Sequence, residues 1–183
     1  MKVGRINPED LQKAAAAATE KAFGRDDLVL AFFRPYIYLN EKAISEAALD
    51  KAKVEAVAAS AINRIEGIAR AVTRSQLPTL QNNPLVSKIR RNTHPRYSGD
   101  IYVVQQPFWY LQEGSAIAVM HGSPWSYDTH VPIIFAGPGV KRQTISRLVH
   151  PVSIAPTMST LLGTKIPSSA FASPLREVLD IAR

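Results

Sequence analysis

The chain has 183 residues, of which 46% are hydrophobic and 20% are charged, and these values are typical of a globular domain. It contains no cysteine, which excludes a disulfide framework and a thiolate metal site. It has no uninterrupted apolar run of about 18 residues, so no membrane-spanning helix is predicted.

The formal net charge is +7, and basic side chains concentrate between residues 88 and 96. Such a cluster is typical of a solvated surface, and it leaves open a noncatalytic module that binds anions or a partner. A nucleic-acid surface usually interleaves aromatic side chains for stacking, and this stretch shows no such pattern, so no nucleic-acid partner is expected. The members of the cluster are Lys88, Arg90, Arg91 and Arg96.

The first quarter of the chain predicts one helix and two strands. Asn7 and Pro8 form the start signal of a helix that runs through an alanine-rich stretch and ends at Gly24. Residues 28–33, LVLAFF, predict a strand. Pro35 follows that strand, and the next segment, YIYL, is predicted to form a short edge strand.

A second helix is predicted from Asp50, where apolar positions follow helical spacing, and Gly67 is its expected C-terminal stop. The segment IARAV that follows predicts a strand. Residues 74–83 are polar and predict a loop, and residues 85–92 predict a short helix.

The second half predicts three further strands, with the sequences DIYVVQQP, AIAVM and VPIIFA. Ser153 is expected to cap a last helix, IAPTMSTLL, which stops before Gly163. The elements add up to a single α/β domain over residues 1–183, with about five strands and three or four helices. Several strands follow one another without long helices between them, so the sheet is predicted to be mixed rather than wholly parallel.

Residues 121–139, HGSPWSYDTHVPIIFAGPG, combine two histidines with a polar and aromatic loop and an apolar run closed by Gly-Pro-Gly. His121 follows a strand-like segment and precedes a glycine, which suits a metal ligand because neutral imidazole is a common zinc donor. His130 is the alternative, and it either faces the same site or caps the following strand. His94 and His150 lie next to prolines at turns and are interpreted as structural.

Three further residues of this loop are expected to support a site. Asp128 is either a ligand itself or the carboxylate that orients a ligating histidine. Tyr127 and Trp125 either line a pocket or pack the loop. Ser98 lies in a Ser-Gly-Asp turn with no base beside it, so it is not predicted to be a nucleophile. From the residues alone the prediction stops at an α/β domain with a histidine-containing site.

Several segments resemble one family. The chain is similar to the C-terminal portion of alkaline phosphatase superfamily hydrolases, in the branch described as type I phosphodiesterase/nucleotide pyrophosphatase-like or PafA-like alkaline phosphatase. The segment PRYSGDIYVVQQP departs from the pattern at Tyr97, where an arginine is common. The other similar segments are HGSPWSYDTHVPIIFAGPGV, VHPVSIAPTMSTLLG, PSSAFASPLREVL and YIYLNEKAI.

The resemblance implies a partial three-layer fold, in which a mixed sheet is flanked by helices. It implies a site with two zinc ions and a Thr or Ser nucleophile that attacks a phosphoester. One metal-ligand histidine of the family comes from this region, and the match of the His-Gly pair assigns it to His121. His130 is the rival assignment, and Asp128, Tyr127 and Trp125 are the expected supporting residues.

The family's other site residues are not found in this chain. No Asp is followed by His, either directly or four residues later, and no nucleophile motif is present. The chain is therefore expected to be a C-terminal fragment that contributes one metal ligand and is inactive alone, because zinc needs three or four protein donors. Its expected partners are a small phosphoester substrate in the intact enzyme, and the missing N-terminal portion or a second copy.

By resemblance the protein is expected in the periplasm or outside the cell. Monoesterase and diesterase activity are both left open, because in the family that choice rests on residues near the nucleophile. A sulfatase-like relative and the noncatalytic basic module remain the alternatives.

Overall fold

The computed structural model describes residues 2–112 and 120–180. The chain divides into two compact units, the first ending at His130 and the second starting at Val131. In chain order the elements of the first unit are β1 (Gly4–Ile6), α1 (Pro8–Phe23), β2 (Val29–Phe33), β3 (Tyr36–Leu39), α2 (Glu41–Glu46), α3 (Lys51–Ile62), β4 (Ile68–Thr73), α4 (Pro84–Arg91), β5 (Ile101–Gln105), β6 (Trp109–Leu111) and α5 (Ser126–Thr129).

A four-stranded sheet forms the centre of the first unit, with the strand order β2-β3-β5-β4 and antiparallel pairing throughout. A separate two-stranded sheet pairs β1 with β6 in parallel, and this pairing places Gly4 opposite Trp109. The unit therefore combines both kinds of strand pairing, as the sequence predicted.

Side chains of β5 alternate between two cores, because successive residues of a strand point to opposite faces. Ile101 and Val103 join a core with α1 and α3, whereas Tyr102 and Val104 join a second core with α4. All five residues of β5 are buried. Helices thus cover both faces of the sheet, and the predicted three-layer α/β class is confirmed.

Helix α1 forms as its termini predict. The Asn7 side chain accepts a hydrogen bond from the backbone N–H of Glu9 at 3.1 Å, and Gly24 ends the helix with φ 70°. Pro8 occupies the first turn, where its missing N–H costs nothing. The buried residues of α1 are Leu11, Ala15 and Thr19. They repeat every four residues and so form the face of the helix that contacts the sheet side of the unit.

Two predictions for this unit are wrong. YIYL is an interior strand rather than an edge strand, since β3 pairs with β2 and with β5, and Pro35 lies just outside it and removes none of its N–H groups. Helix α3 ends at Ile62 rather than at Gly67. Gly67 instead has φ 89° immediately before β4, in a bend that only glycine adopts freely.

The second unit consists of a 3₁₀ turn (Pro151–Ser153), α6 (Ile154–Leu161) and α7 (Arg176–Leu179). The buried Thr157 hydroxyl joins them, since it donates to the Ser153 carbonyl at 2.6 Å and accepts from the Leu175 N–H at 2.8 Å. Ser153 is therefore a backbone acceptor, and its own side chain makes no capping hydrogen bond, contrary to prediction.

The predicted strand VPIIFA is also wrong, because residues 131–136 have no regular secondary structure. An extended apolar run becomes a strand only when another strand pairs with it, and residues 131–180 contain no strand. The predicted strand AIAVM falls on residues 116–120, of which all but Met120 lie outside the described residues. No helix within the described ranges is both long and apolar enough to cross a bilayer.

Candidate functional site

A cleft of about 670 Å³ opens in the first unit. Its described walls come from β1, from the ends of β5 and β6 with the turn between them, from residues 34–35, and from the segment 120–128. The cleft therefore lies at the point where the two small sheets of this unit approach each other, beside the histidine-containing loop.

Local hydrogen bonds hold the loop in shape. The Asp128 carboxylate accepts from the Ser123 backbone N–H at 2.8 Å. Lys88, on α4, donates to the Pro124 carbonyl at 2.7 Å and to the Thr129 hydroxyl at 3.0 Å. The loop is thus attached both to itself and to the helix beneath it.

The structure brings three of the predicted site residues to the cleft. His121, Tyr127 and Asp128 line it, and His121 is exposed. His130 is exposed as well, but it is absent from the described residues that line the cleft. Trp125 also lies away from the lining, and its indole N–H donates to the Gln105 carbonyl at 2.9 Å, so it packs the loop against β5.

Among the described lining residues of the cleft, positive charge exceeds negative charge. Arg5 and Arg34 contribute guanidinium groups to its walls, and Asp128 is the one carboxylate among the described lining residues. Burial raises the pKa of the Tyr102 phenol, another lining residue, above its ordinary value. Such a cleft favours an anionic ligand, and the Asp128 charge is already engaged by a backbone N–H.

The described side chains supply too few donors for a zinc site. Within residues 2–112 and 120–180, no three His, Cys, Asp or Glu side chains lie close enough together to hold a metal ion. His121 and Asp128 have the right chemistry, but two donors are fewer than the three or four that zinc takes from a protein. These residues therefore do not fit a complete zinc site by themselves.

Several curated relatives match the chain. Alkaline phosphatase PafA of Elizabethkingia meningoseptica is 26% identical over 172 residues, covering 93% of this chain and 31% of that protein. A calcium-transporting ATPase of Myroides odoratus is 26% identical, covering 97% and 32%. Alkaline phosphatase PhoV of Synechococcus elongatus is 29% identical, covering 78% and 26%. The chain spans about a third or less of the length of these relatives.

Comparison of the structures agrees with comparison of the sequences. The crystal structure of wild-type PafA superposes with a TM-score of 0.85 at 26% identity, covering 97% of this chain and 34% of that one. The chain is a relative of the alkaline phosphatase superfamily. No protein-family model matches the sequence. The superfamily resemblance predicted from the loop motif and its neighbouring segments is thereby confirmed.

The basic cluster at residues 88–96 has largely structural contacts. Arg90 donates to the carbonyls of Leu77, at 3.0 Å, and Leu80, at 2.6 Å, and so closes the loop after β4. Lys88 holds the histidine loop, as described above. Arg96 lies over the Tyr97 ring at 5.6 Å from its centroid. These contacts favour a structural interpretation of the cluster over a binding module.

Sequence reasoning missed Phe108 as a site residue. It follows Pro107 in the turn between β5 and β6, lines the cleft, and has φ 67°. Its ring stacks on Tyr127 with the centroids 4.9 Å apart. The available sequence signal was Pro107, because a proline in a short link between two strands favours a turn. That signal does not reveal Tyr127, the partner of Phe108, which lies nineteen residues further along the chain.

Proposed function

We propose that this chain is part of a zinc-dependent phosphoester hydrolase, to which His121 contributes one metal ligand. One observation carries the proposal. The His121 side chain, in the loop that resembles the superfamily's ligand segment, lines a cationic cleft in a fold that matches an alkaline phosphatase. His130 is the weaker candidate, because it does not line that cleft.

The chain's own residues have three roles in this proposal. Arg5 and Arg34 attract and orient the phosphate group, since guanidinium groups suit the geometry of phosphate oxygens. His121 contributes an imidazole nitrogen as one metal donor. Asp128 keeps the loop in place by accepting the Ser123 N–H, and this contact positions the His121 backbone two residues away. The remaining zinc donors and the nucleophile would come from outside the described residues.

The proposal extends to the whole protein. The chain corresponds to the C-terminal portion of such an enzyme, and its partner is the N-terminal portion of the same catalytic domain or a second copy. The substrate is a small phosphoester, either a monoester or a diester. A periplasmic or secreted location follows from the same relationship.

A chimera tests the proposal. This chain replaces the matching third of PafA, and hydrolysis of p-nitrophenyl phosphate and of bis-p-nitrophenyl phosphate is measured with and without zinc. We expect zinc-dependent hydrolysis, and the preferred substrate distinguishes the monoesterase from the diesterase. We expect His121→Ala to lower kcat/KM by at least about a hundredfold, because removing a metal ligand disrupts the site.

His130→Ala is the matched control, since it removes an exposed histidine from the same loop. We expect it to retain zinc content and activity within about threefold. A chimera that folds and binds zinc equally well with either substitution contradicts the assignment of His121. Loss of zinc in the His130 variant alone would transfer the ligand role to His130.

The isolated chain is expected to be inert and to bind zinc weakly. Two donors on one short loop hold a metal loosely and cannot place a nucleophile opposite a leaving group. The assay uses both p-nitrophenyl substrates in excess zinc, with His121→Ala alongside. Activity that disappears in this variant would reveal a complete site within the chain and contradict the prediction.

A further inference from the structure

The turn between β5 and β6 holds a phenylalanine where the backbone favours glycine. The Trp109 N–H donates to the Gln106 carbonyl at 3.1 Å, with Pro107 and Phe108 at the two central positions. Proline at the first central position and a positive φ at the second, here 67°, are the features of a type II turn. Glycine or asparagine normally occupies the second position, so a phenyl side chain there is strained.

A contact from across the cleft maintains this conformation. The Phe108 N–H, which the turn itself leaves unused, donates to the Tyr127 hydroxyl at 3.0 Å. The two rings are nearly parallel, at 21°, with their centroids 4.9 Å apart. Each residue nevertheless stays 44% exposed, so the core does not enclose the pair. Burial in a core therefore does not explain why a large aromatic residue occupies this strained position.

The same cleft carries basic residues as well as the aromatic pair. Arg5 and Arg34 are among its described lining residues, together with Phe108 and Tyr127. The cleft thus combines an aromatic surface with cationic side chains.

We infer that the Phe108–Tyr127 pair is a stacking platform that selects phosphoesters with a planar aromatic leaving group. The inference rests on the proposed function for the phosphate half of the ligand and adds the class of the other half. The phosphate group interacts with the cationic side of the cleft, and the aromatic group stacks on the exposed surface of the pair. Stacking of aromatic groups favours an aryl ester over an alkyl ester by about threefold to tenfold.

Binding to the purified chain tests this inference without requiring hydrolysis. The probes are phenyl phosphate and methyl phosphate, which share the phosphate group and differ in the aromatic ring, and the dissociation constants are measured by ligand-observed NMR. We expect phenyl phosphate to bind about threefold to tenfold more tightly. Equal binding of the two probes, or no measurable binding of phenyl phosphate, overturns the inference.

Phe108→Gly removes the ring and relieves the positive φ. We expect this variant to bind the two probes within about twofold of each other, with its melting temperature unchanged or raised. A persisting aryl preference, or a marked fall in the melting temperature, would assign Phe108 to packing and overturn the inference. Phe171→Ala is the control, since it removes an 86% exposed phenylalanine of the second unit, and it should keep the full preference.

His121→Ala separates the two proposals. It should retain the preference for phenyl phosphate, because the platform does not involve the imidazole. Failure of the zinc assignment in the chimera therefore leaves the aryl preference intact, whereas failure of the platform leaves zinc-dependent hydrolysis intact.

Discussion

Trp109 depends on two glycines for its position at the cleft wall. A Cβ atom at Gly67 would lie 2.1 Å from the indole ring, and one at Gly4 would lie 2.5 Å from it. Real Cβ atoms essentially never approach other atoms so closely, so the two positions accept only hydrogen. The indole is therefore held by backbone on the side facing these glycines.

Gly67→Ala is expected to lower the free energy of unfolding by at least about 2 kcal/mol, because it combines an overpacked contact with a positive φ. Urea denaturation of both proteins measures the difference. Gly24→Ala is the matched control, since Gly24 also has a positive φ of 70° but has no atom within 4 Å of its Cβ position. Equal losses in the two variants would show that the Trp109 contact contributes nothing.

At the scale of elements, Asp100 links β3 to α3 and, through Lys51, to α2. It is 5% exposed, its carboxylate accepts from the Leu39 N–H of β3 at 2.8 Å, and it forms an ion pair of 2.7 Å with Lys51 at the start of α3. Lys51 also contacts Glu41 of α2. Burial alone would lower the pKa of Lys51, but hydrogen bonds to Asp100 and Glu41 raise it, so the ammonium group stays charged.

Asp100→Ala is expected to cost about 2–3 kcal/mol of unfolding free energy, because it leaves a buried N–H without an acceptor and a cation without its closest buried partner. Thermal and urea unfolding provide the measurement. Glu41→Ala breaks only the exposed side of the same network and should cost less than about 1 kcal/mol. A larger loss from Glu41→Ala than from Asp100→Ala would contradict this ranking.

Helix α7 is joined to an upstream segment by Arg147 and Glu177, whose Nη2 and Oε2 atoms lie 2.7 Å apart. The Arg147 guanidinium lowers the pKa of the Glu177 carboxyl to about 2. Because the pKa is lower in the folded state, this pair contributes to stability above the ordinary value of 4.5, and the contribution is lost as the pH falls towards 2.

Arg147→Ala is expected to move the pKa of Glu177 upwards, towards its ordinary value. Titration of the carboxyl carbon by NMR measures the change directly. Arg142→Ala removes an arginine that is not among the groups shifting this pKa, and it should leave the titration unchanged. An unaltered Glu177 titration in the Arg147 variant would contradict the assignment of the shift to this pair.

At the scale of the whole molecule, apolar side chains remain on the surface. Strand β2 is one edge of the four-stranded sheet, and Leu30 and Phe33 on it are 57% and 74% exposed. Leu175 is the one large hydrophobic residue among the fully buried residues described in the second unit. The exposed large hydrophobic residues of that unit are Val131, Ile134, Ile145, Leu148, Val152, Ile154, Met158, Leu162, Ile166 and Phe171.

The isolated chain is expected to self-associate and to bind a dye specific for apolar surfaces, because unpaired edges and apolar patches promote association. Light scattering and dye fluorescence measure both properties. Ile134→Lys should reduce them, since Ile134 is 83% exposed. Gln81→Lys adds the same charge at another exposed position and should have little effect. A monomer that binds no dye at high concentration would contradict the prediction.

Local signals in the sequence were sufficient for elements whose residues interact mainly with their neighbours. Asn7, Pro8 and Gly24 define α1 because capping depends on groups a few residues apart. The β-branched and aromatic residues of DIYVVQQP predict β5, because such residues favour an extended backbone. The loop motif at residues 121–140 carried the superfamily resemblance, which the matches over most of the chain confirm.

Pairing and proximity were decided only by the tertiary structure. The edge or interior position of β3 depends on β5, which is more than sixty residues away, and residues 131–136 lack the neighbour that would make them a strand. The contact between Phe108 and Tyr127 also joins separate segments. Composition and periodicity are local properties of the chain. Strand partners and cleft walls depend instead on which distant segments the packed core brings together. The sequence alone therefore determined the fold class and the histidine loop, but not the cleft.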